Sequence, residues 1–293
     1  MQYNYLKSFS LASEDDEVSY ILSFPAKLEM TCYGTSAYPF KIFPQNGLHT
    51  LEFEPVTLIY GSNGSGKSTL LNIIAQKLGV LRCAPFNYTP LYEDYLRYCR
   101  YTLAYGRSVP PESRVITSDD VFDFLLDLRA INSGIEGRRQ TVFEEYDEYT
   151  DPNKPAFVLR SIEDYDELKR RNEARKGTKA SYTRRRIPKD ICEKSNGESA
   201  FAYFTSQIKE NALYLLDEPE NSLSVPLQLE LMRFISDSAR FYGCQFIIST
   251  HSPFLLSLGG SGVYDLDCSP VCRKSWTQLG NVTAYRDFFE SHK

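Results

Sequence analysis

Residues 61 to 69 read GSNGSGKST, and Gly61, Gly66, Lys67 and Ser68 fall at the fixed positions of G-x-x-x-x-G-K-[ST]. The small residues Gly61, Ser62, Asn63, Gly64, Ser65 and Gly66 let a backbone curl until successive N–H groups point inward at phosphate oxygens. A helix opening at Lys67 would add its positive end to that cradle. Lys67 would then neutralise the β and γ phosphates of a nucleoside triphosphate, and Ser68, followed by Thr69, would offer a hydroxyl to Mg²⁺. The competing reading is a Gly-Ser loop with a stray lysine, and it leaves the strand character before the motif and the helix character after it unexplained.

Two further stretches end short apolar runs in polar groups. LYLLDEPE delivers Asp217 and Glu218 directly after Leu213 to Leu216, and QFIISTHSP delivers His251, one of three histidines, after Ile247 and Ile248. Ligands of open α/β sheets sit beyond the carboxyl ends of the strands, which is where both runs would place these groups. Asp217 would hold the Mg²⁺ shell, Glu218 would polarise an attacking water, and His251 could reach the γ-phosphate. Taken alone, LYLLDEPE could equally be a strand ending in solvated charge, and a lone histidine could be structural.

The elements that must position these groups follow from the pattern. Residues 1 to 82 alternate β-rich pieces, YILSFPAKLEM and HTLEFEPVTLIY, before the helical KSTLLNIIAQKL closed by Gly79. Residues 195 to 293 again alternate strand and helix, with ALYLLDE and CQFIIST flanking the amphipathic VPLQLELMRFISDSARFYG. That alternation predicts an α/β fold with a mostly parallel sheet covered by helices, built from 1–82 and 195–293 and interrupted by an insertion over 83–194. The insertion is rich in tyrosine and charge and contains a helical SDDVFDFLLDLRAIN, where Ser118 or Asp119 could cap and Val121, Phe122, Leu125 and Leu128 give one apolar face.

The 293 residues carry a formal charge of −5 and 42% hydrophobic content, enough for a sizeable core under a mildly acidic surface. No apolar run approaches the length of a membrane span and the first residues lack a signal pattern, so a soluble cytoplasmic protein with no membrane partner is expected. Seven scattered cysteines suit a reducing compartment, and the lone C-x3-C of Cys268 and Cys272 has no second pair to make a zinc site.

In their order, GSNGSGKST, SNGES, LYLLDEPENSLS and STHSP resemble the ATP-binding-cassette superfamily of P-loop ATPases. The resemblance is closer to small soluble ATPases grouped with SMC and RecF-type heads than to transporter subunits, and it spans roughly 45 to 80 and 190 to 293. It implies a P-loop NTPase head with an N-terminal antiparallel β piece and a helical, charged insertion. It further implies ATP and Mg²⁺ at Gly61 to Thr69, Walker B acids at Asp217 and Glu218, a D-loop at Asn221 to Ser224 and a switch histidine at His251. Members close as homodimers around two ATP molecules, where a serine-glycine signature completes the opposite subunit's site. Ser195, Gly197 and Glu198 match that signature, while Lys194 and Asn196 stand where leucine and glycine are usual. No glutamine loop is recognisable, and Asp119 is the residue expected to serve the metal in its place. Tyr38 or Phe40 could stack on adenine, or either could be core.

From Lys169 to Lys189 ten Lys or Arg face one acid, Glu173, a local charge of +9. Such a segment can track a phosphate backbone, pair with the chain's own EEYDEYT and IEDYDE runs, or meet an acidic partner. Three functions stay open: a dimerising ATPase coupled to a separate effector or to nucleic acid, an ATP-sensing interaction switch with little turnover, and a transporter's ATPase subunit.

Overall fold

The computed structural model describes residues 4–23, 37–153, 165–187, 195–258 and 262–292. Lys189, Lys194 and the stretch 24–36 lie outside them. The chain divides into two compact units, Met1–Phe122 with Asn196–Lys293, and Asp123–Ser195.

In the first unit, β1 (Leu6–Ser10) pairs antiparallel with β2 (Thr50–Glu52) on one side and β4 (Arg100–Leu103) on the other. The larger sheet runs in the order β5 (Arg114–Thr117), β6 (Leu213–Asp217), β7 (Gln245–Ser249), β3 (Val56–Tyr60), β8 (Val263–Asp265), β9 (Cys272–Lys274). All neighbours are parallel except the β8–β9 hairpin. LYLL and QFIIS are continuous apolar or enclosed runs because helices cover both faces of the sheet's centre. Phe246, Ile247 and Ile248 have no exposed surface at all. The helix α2 (Lys67–Leu78) packs on β6 and β7 through Leu70, Leu71, Ile73 and Ile74, and α8 (Val225–Phe241) lies against β7.

One side chain stitches the two sheets together. Gln245, fully buried at the start of β7, accepts from the N–H groups of Tyr5 (2.7 Å) and Leu6 (2.9 Å). Its amide nitrogen donates to the carbonyls of Leu6 and Glu54. A buried amide with every hydrogen-bonding position used fixes the approach of β1 without an unsatisfied polar group.

The structure corrects three sequence expectations. Tyr20 to Leu22, read as the start of a β-rich piece, end α1 (Glu14–Leu22), whose capping box between Ser13 and Asp16 and acidic first turn favour a helix. Residues 83–122, expected within the insertion, supply β4 and β5 to the two sheets and α3 (Tyr92–Tyr98), whose Tyr92 and Tyr95 are fully buried. The long helix α4 (Ser118–Thr150) is capped by neither Ser118 nor Asp119: Thr117 and Asp120 exchange the capping hydrogen bonds, and Phe122 stays exposed while Val121 and Leu125 are buried.

The second unit contains the rest of α4 with α5 (Tyr165–Lys176) and α6 (Lys179–Arg184), around a small core of Tyr149, Ala174 and Tyr182. Among the described residues, four basic side chains of this segment pair with acids inside it: Arg170 with Glu145, Arg171 with Glu167, Lys179 with Asp147 and Arg186 with Glu173. Among the described residues no helix is long and apolar enough to cross a membrane.

Candidate functional site

Three parallel strands deliver the expected residues at one edge of the sheet. β3 leads into the Gly61–Thr69 loop, β6 ends at Asp217 and β7 at Ser249, with β7 lying between the other two. The register pairs Asp217 with Ser249 and Ser249 with Ile59, so the three strand ends stand level. Glycine is required at 66: its φ is +95°, and a Cβ there would stand 3.0 Å from Ile42 and 3.2 Å from Phe43. The loop is anchored from a distance by Asp267, which accepts from the Ser62 N–H with both oxygens at 2.8 Å and from its hydroxyl at 2.8 Å.

Lys67 is 4% exposed and donates to the carbonyls of Gly61 (2.8 Å) and Ser62 (3.2 Å). Its Nζ lies 3.6 Å from Glu218 Oε1, and the same oxygen is 3.4 Å from His251 Nε2. The histidine lacks hydrogen-bond alignment at that distance, so Nε2 is a buried polar atom without a hydrogen-bond partner, as is Ser65 Oγ inside the loop. Glu218 reaches this position from a left-handed backbone, φ +48°, held by its N–H bond to the Ser249 carbonyl at 3.0 Å. For a residue with a Cβ that conformation costs roughly 1–2 kcal/mol, so the turn spends stability on aiming the carboxylate.

Asp217 accepts from the Ser249 hydroxyl. Burial raises its carboxyl above the usual carboxylate range, and the hydroxyls of Ser249 and Ser68 draw it part of the way back. Nine residues line a pocket of about 480 Å³ over the loop: Tyr38, Ile42, Asn63, Gly64, Gly66, Lys67, Ser68, Thr69 and Glu218. Of the two aromatic candidates Tyr38 faces this pocket, its hydroxyl 3.2 Å from Thr69 Oγ1. Phe40 is core, stacked on Tyr20 at 4.6 Å.

Other expected residues stand elsewhere. Asp119 is exposed in the first turn of α4; the carboxylate enclosed there is that of Asp120, engaged with Thr117 and with the Ala84 N–H. Ser195 precedes α7 (Asn196–Gln207), and Gly197 and Glu198 open that helix outside the pocket lining. A Cβ on Gly197 would meet Leu227 at 3.0 Å and the Ser222 carbonyl at 3.4 Å, so this glycine lets α7 sit against the Asn221–Ser224 segment. Sequence reasoning missed Ser249 and Asp267. A polar residue closing the apolar run QFIIS is a local signal for the first. The second depends on a contact 205 positions away that no local pattern encodes.

Comparison with known proteins agrees with the motifs. Residues 162–257 match a family described as "AAA domain, putative AbiEii toxin, Type IV TA system", and residues 40–79 match an AAA domain. No curated protein matches the chain. Similar solved structures include CbiO1 from Clostridium perfringens, part of an ABC transporter complex (16% identity, 98% of this chain and 94% of that one, TM-score 0.38). They also include the SMC head domain from Thermotoga maritima (13%, 92% and 99%, TM-score 0.37). A third is an Smc head from Pyrococcus furiosus bound to the C-terminal domain of ScpA (14%, 99% and 100%, TM-score 0.41). The lysine loop falls in one AAA match and the acids and histidine in the other, and all of them stand at one edge of a mostly parallel sheet, so in both segments the chain is similar to AAA-type P-loop domains.

Proposed function

We propose that the protein binds ATP with Mg²⁺ at Gly61 to Thr69, hydrolyses it, and closes as a homodimer in which Ser195, Gly197 and Glu198 of one copy complete the phosphate site of the other, the cycle driving a separate effector protein. The observation that carries this reading is the convergence of Lys67 and His251 on one oxygen of Glu218, at 3.6 and 3.4 Å, at the mouth of the loop pocket. A cation to offset phosphate charge, a carboxylate to take a proton from water and an imidazole to orient that carboxylate are the groups phosphoryl transfer to water uses.

The residues fit both groups. Ser65 Oγ and His251 Nε2 are buried without hydrogen-bond partners and would gain them from phosphate oxygens. Ser68 and Asp217 supply one hydroxyl and one carboxylate, the sparse protein share that suits Mg²⁺, which keeps water and phosphate oxygens in its shell. Among the described residues no three acids, histidines or cysteines form a denser metal cage. Bound Mg²⁺ would neutralise phosphate charge. Phosphate entering beside Lys67 competes with Glu218 for the ammonium group and leaves the carboxylate to His251 and water. Gly197, pressed on the Asn221–Ser224 segment, ties the signature helix to the turn that carries Glu218.

Glu218→Gln tests the reading. ATP affinity should stay within about threefold while turnover falls on the order of 10²- to 10³-fold, because the amide keeps the size of the carboxylate and cannot accept a proton. Light scattering should then show a dimer with ATP and Mg²⁺. Unchanged turnover would overturn the assignment of Glu218, and a monomer at every concentration would overturn the dimer.

A second reading, nucleic-acid contact, has its own support in the second unit. Lys176, Arg184 and Arg185 are exposed, and none takes part in the four ion pairs. Lys176, Arg185 and Ser181 line a polar groove of about 240 Å³, whose one carboxylate, Glu173, is already paired with Arg186.

A further inference from the structure

The turn after β6 holds a third acid, Glu220, which the roles of Asp217 and Glu218 leave unexplained. It is 9% exposed, and among the described residues no cation pairs with it. A carboxylate at such depth is costly unless hydrogen bonds compensate, and burial pushes its carboxyl above the usual range against the hydrogen bonds it accepts. Those bonds come from the next strand's turn: Oε1 accepts from the His251 N–H at 2.6 Å and from the Ser252 N–H at 3.1 Å, while Oε2 is buried without a partner. The His251 carbonyl is taken in turn by the Asn281 side chain, and the Asn281 N–H reaches the Tyr60 hydroxyl at 3.1 Å. The backbone of His251 is therefore gripped at both polar groups, and at the N–H by Glu220.

The other end of Glu220 belongs to the segment that holds Glu218 and the signature contact. Its carbonyl accepts from the Leu223 N–H at 2.9 Å, and the Glu218 carbonyl accepts from the Asn221 N–H at 3.2 Å. Gln228 closes the circuit, donating to the Leu223 carbonyl at 2.9 Å and accepting from the Ser252 hydroxyl at 2.8 Å. One side chain thus joins the turn that aims Glu218 to the turn that aims His251.

We propose that Glu220 is a positioning residue: by holding the His251 and Ser252 N–H groups it sets the imidazole against Glu218, and it carries any displacement of Asn221–Ser224 to His251. This rests on the reading of Glu218 and His251 as the pair that handles water. Glutamate has the reach for it, since aspartate is one methylene short, and alanine leaves the His251 N–H without its acceptor and the Ser252 N–H with only the Thr250 hydroxyl at 3.0 Å.

The test compares wild type with Glu220→Ala, Glu220→Gln, His251→Ala and the Glu220→Ala/His251→Ala double variant. ATP turnover, affinity for a fluorescent ATP analogue and the imidazole ring signals in NMR are measured. The chain has three histidines, and the His251→Ala spectrum assigns the ring of interest. Glu220→Ala should lower turnover about 30-fold with analogue affinity within about twofold, since a misplacement near 1 Å can cost as much as 100-fold. Glu220→Gln, which keeps Oε1 as acceptor, should retain at least about a third of turnover, and the double variant should be no worse than His251→Ala alone. The His251 ring signal should move in Glu220→Ala and stay in Glu220→Gln. Multiplying effects in the double variant, or an unmoved ring signal, would overturn the proposal. Should wild type turn over no ATP, the catalytic reading fails by itself, and the ring signal still decides whether Glu220 positions His251. Should Glu220→Ala not fold, Glu220→Asp replaces it: a shifted ring signal supports the proposal and an unshifted one ends it.

Discussion

The two units use charge in opposite ways. In the first, a few polar ends are enclosed: Lys67 is 4% exposed and donates to the Gly61 carbonyl, and Asp265 is 3% exposed and pairs with Lys274 at 2.8 Å. In the second, charges are dense and wet, as in Lys179 with Asp147, whose side chains are 38% and 63% exposed. Exposed pairs contribute little, about 0.2–1 kcal/mol at best, because water screens them and long side chains lose freedom. Enclosed ones act in a medium of low effective dielectric, where a missing partner is felt strongly. The number of charges therefore points away from the chemistry here, and the enclosure of a few points toward it.

The comparison breaks most visibly at Lys67. Lys67→Ala should weaken ATP binding at least about 100-fold by calorimetry, since it removes the one ammonium group of the loop and leaves the Gly61 and Ser62 carbonyls without their donor. Affinity within a few-fold of wild type would mean that enclosure of this charge serves the fold and not a phosphate. In the second unit even a smaller change needs several charges at once. Lys176, Arg184 and Arg185 changed together to glutamate should lower affinity for single-stranded DNA or RNA about tenfold at low salt and flatten its dependence on salt, as lost phosphate contacts require. Arg186 is left out because it bonds Glu173 at 2.6 Å and lies over the Tyr182 ring at 3.7 Å, so altering it would disturb the unit's own packing. Wild type that binds no nucleic acid at low salt would end the second reading.

The sequence made the first unit's site legible because its parts are local. A glycine loop between a strand and a helix, and polar residues directly after apolar runs, each lie within ten residues, and the α/β alternation says that they share an edge. What stayed hidden was long-range. The Asp267 grip on Ser62 and the Gln245 stitch to Leu6 join positions more than 200 apart. The choice of Asp120 over Asp119 turns on one residue of helical phase: Asp120 folds back on Thr117 and Ala84, and Asp119 faces water. The end of α1 departs from the sequence expectation for a different reason. The β-prone YILSFP overlaps a helix end, and the capping box at Ser13 decides the local structure before that preference can act.

Asp217 sharpens the comparison at a smaller scale. Its carboxyl is raised in the folded state by burial, so the folded protein binds that proton more readily than the unfolded chain does, and stability from this group falls as pH rises from 3.8 through the folded value. Glu220 and Glu17 are shifted in the same sense. Asp217→Asn should therefore stabilise the nucleotide-free protein at neutral pH by roughly 1 kcal/mol, about 2 °C in Tm, and reduce the loss of Tm with rising pH while abolishing turnover. A lower Tm in Asp217→Asn would show that the carboxylate is compensated without any cation.

The smallest effect is expected at Lys179, and its smallness is the point. The ammonium group lies 2.6 Å from Asp147 and 4.8 Å from the Phe143 ring centre, contacts that resemble those of a site. Lys179 is also the first residue of α6, where the Thr178 hydroxyl already accepts from the Ser181 N–H and a positive charge opposes the helix dipole. The exposed ion pair contributes about 0.2–1 kcal/mol and the misplaced charge costs about 0.3–1 kcal/mol, so the two nearly cancel. Lys179→Met, which keeps the apolar stem over Phe143, should shift stability by no more than about 0.5 kcal/mol in urea unfolding, within the usual range for surface changes. A loss above about 2 kcal/mol would place this pair with the enclosed charges of the first unit and erase the contrast between the two.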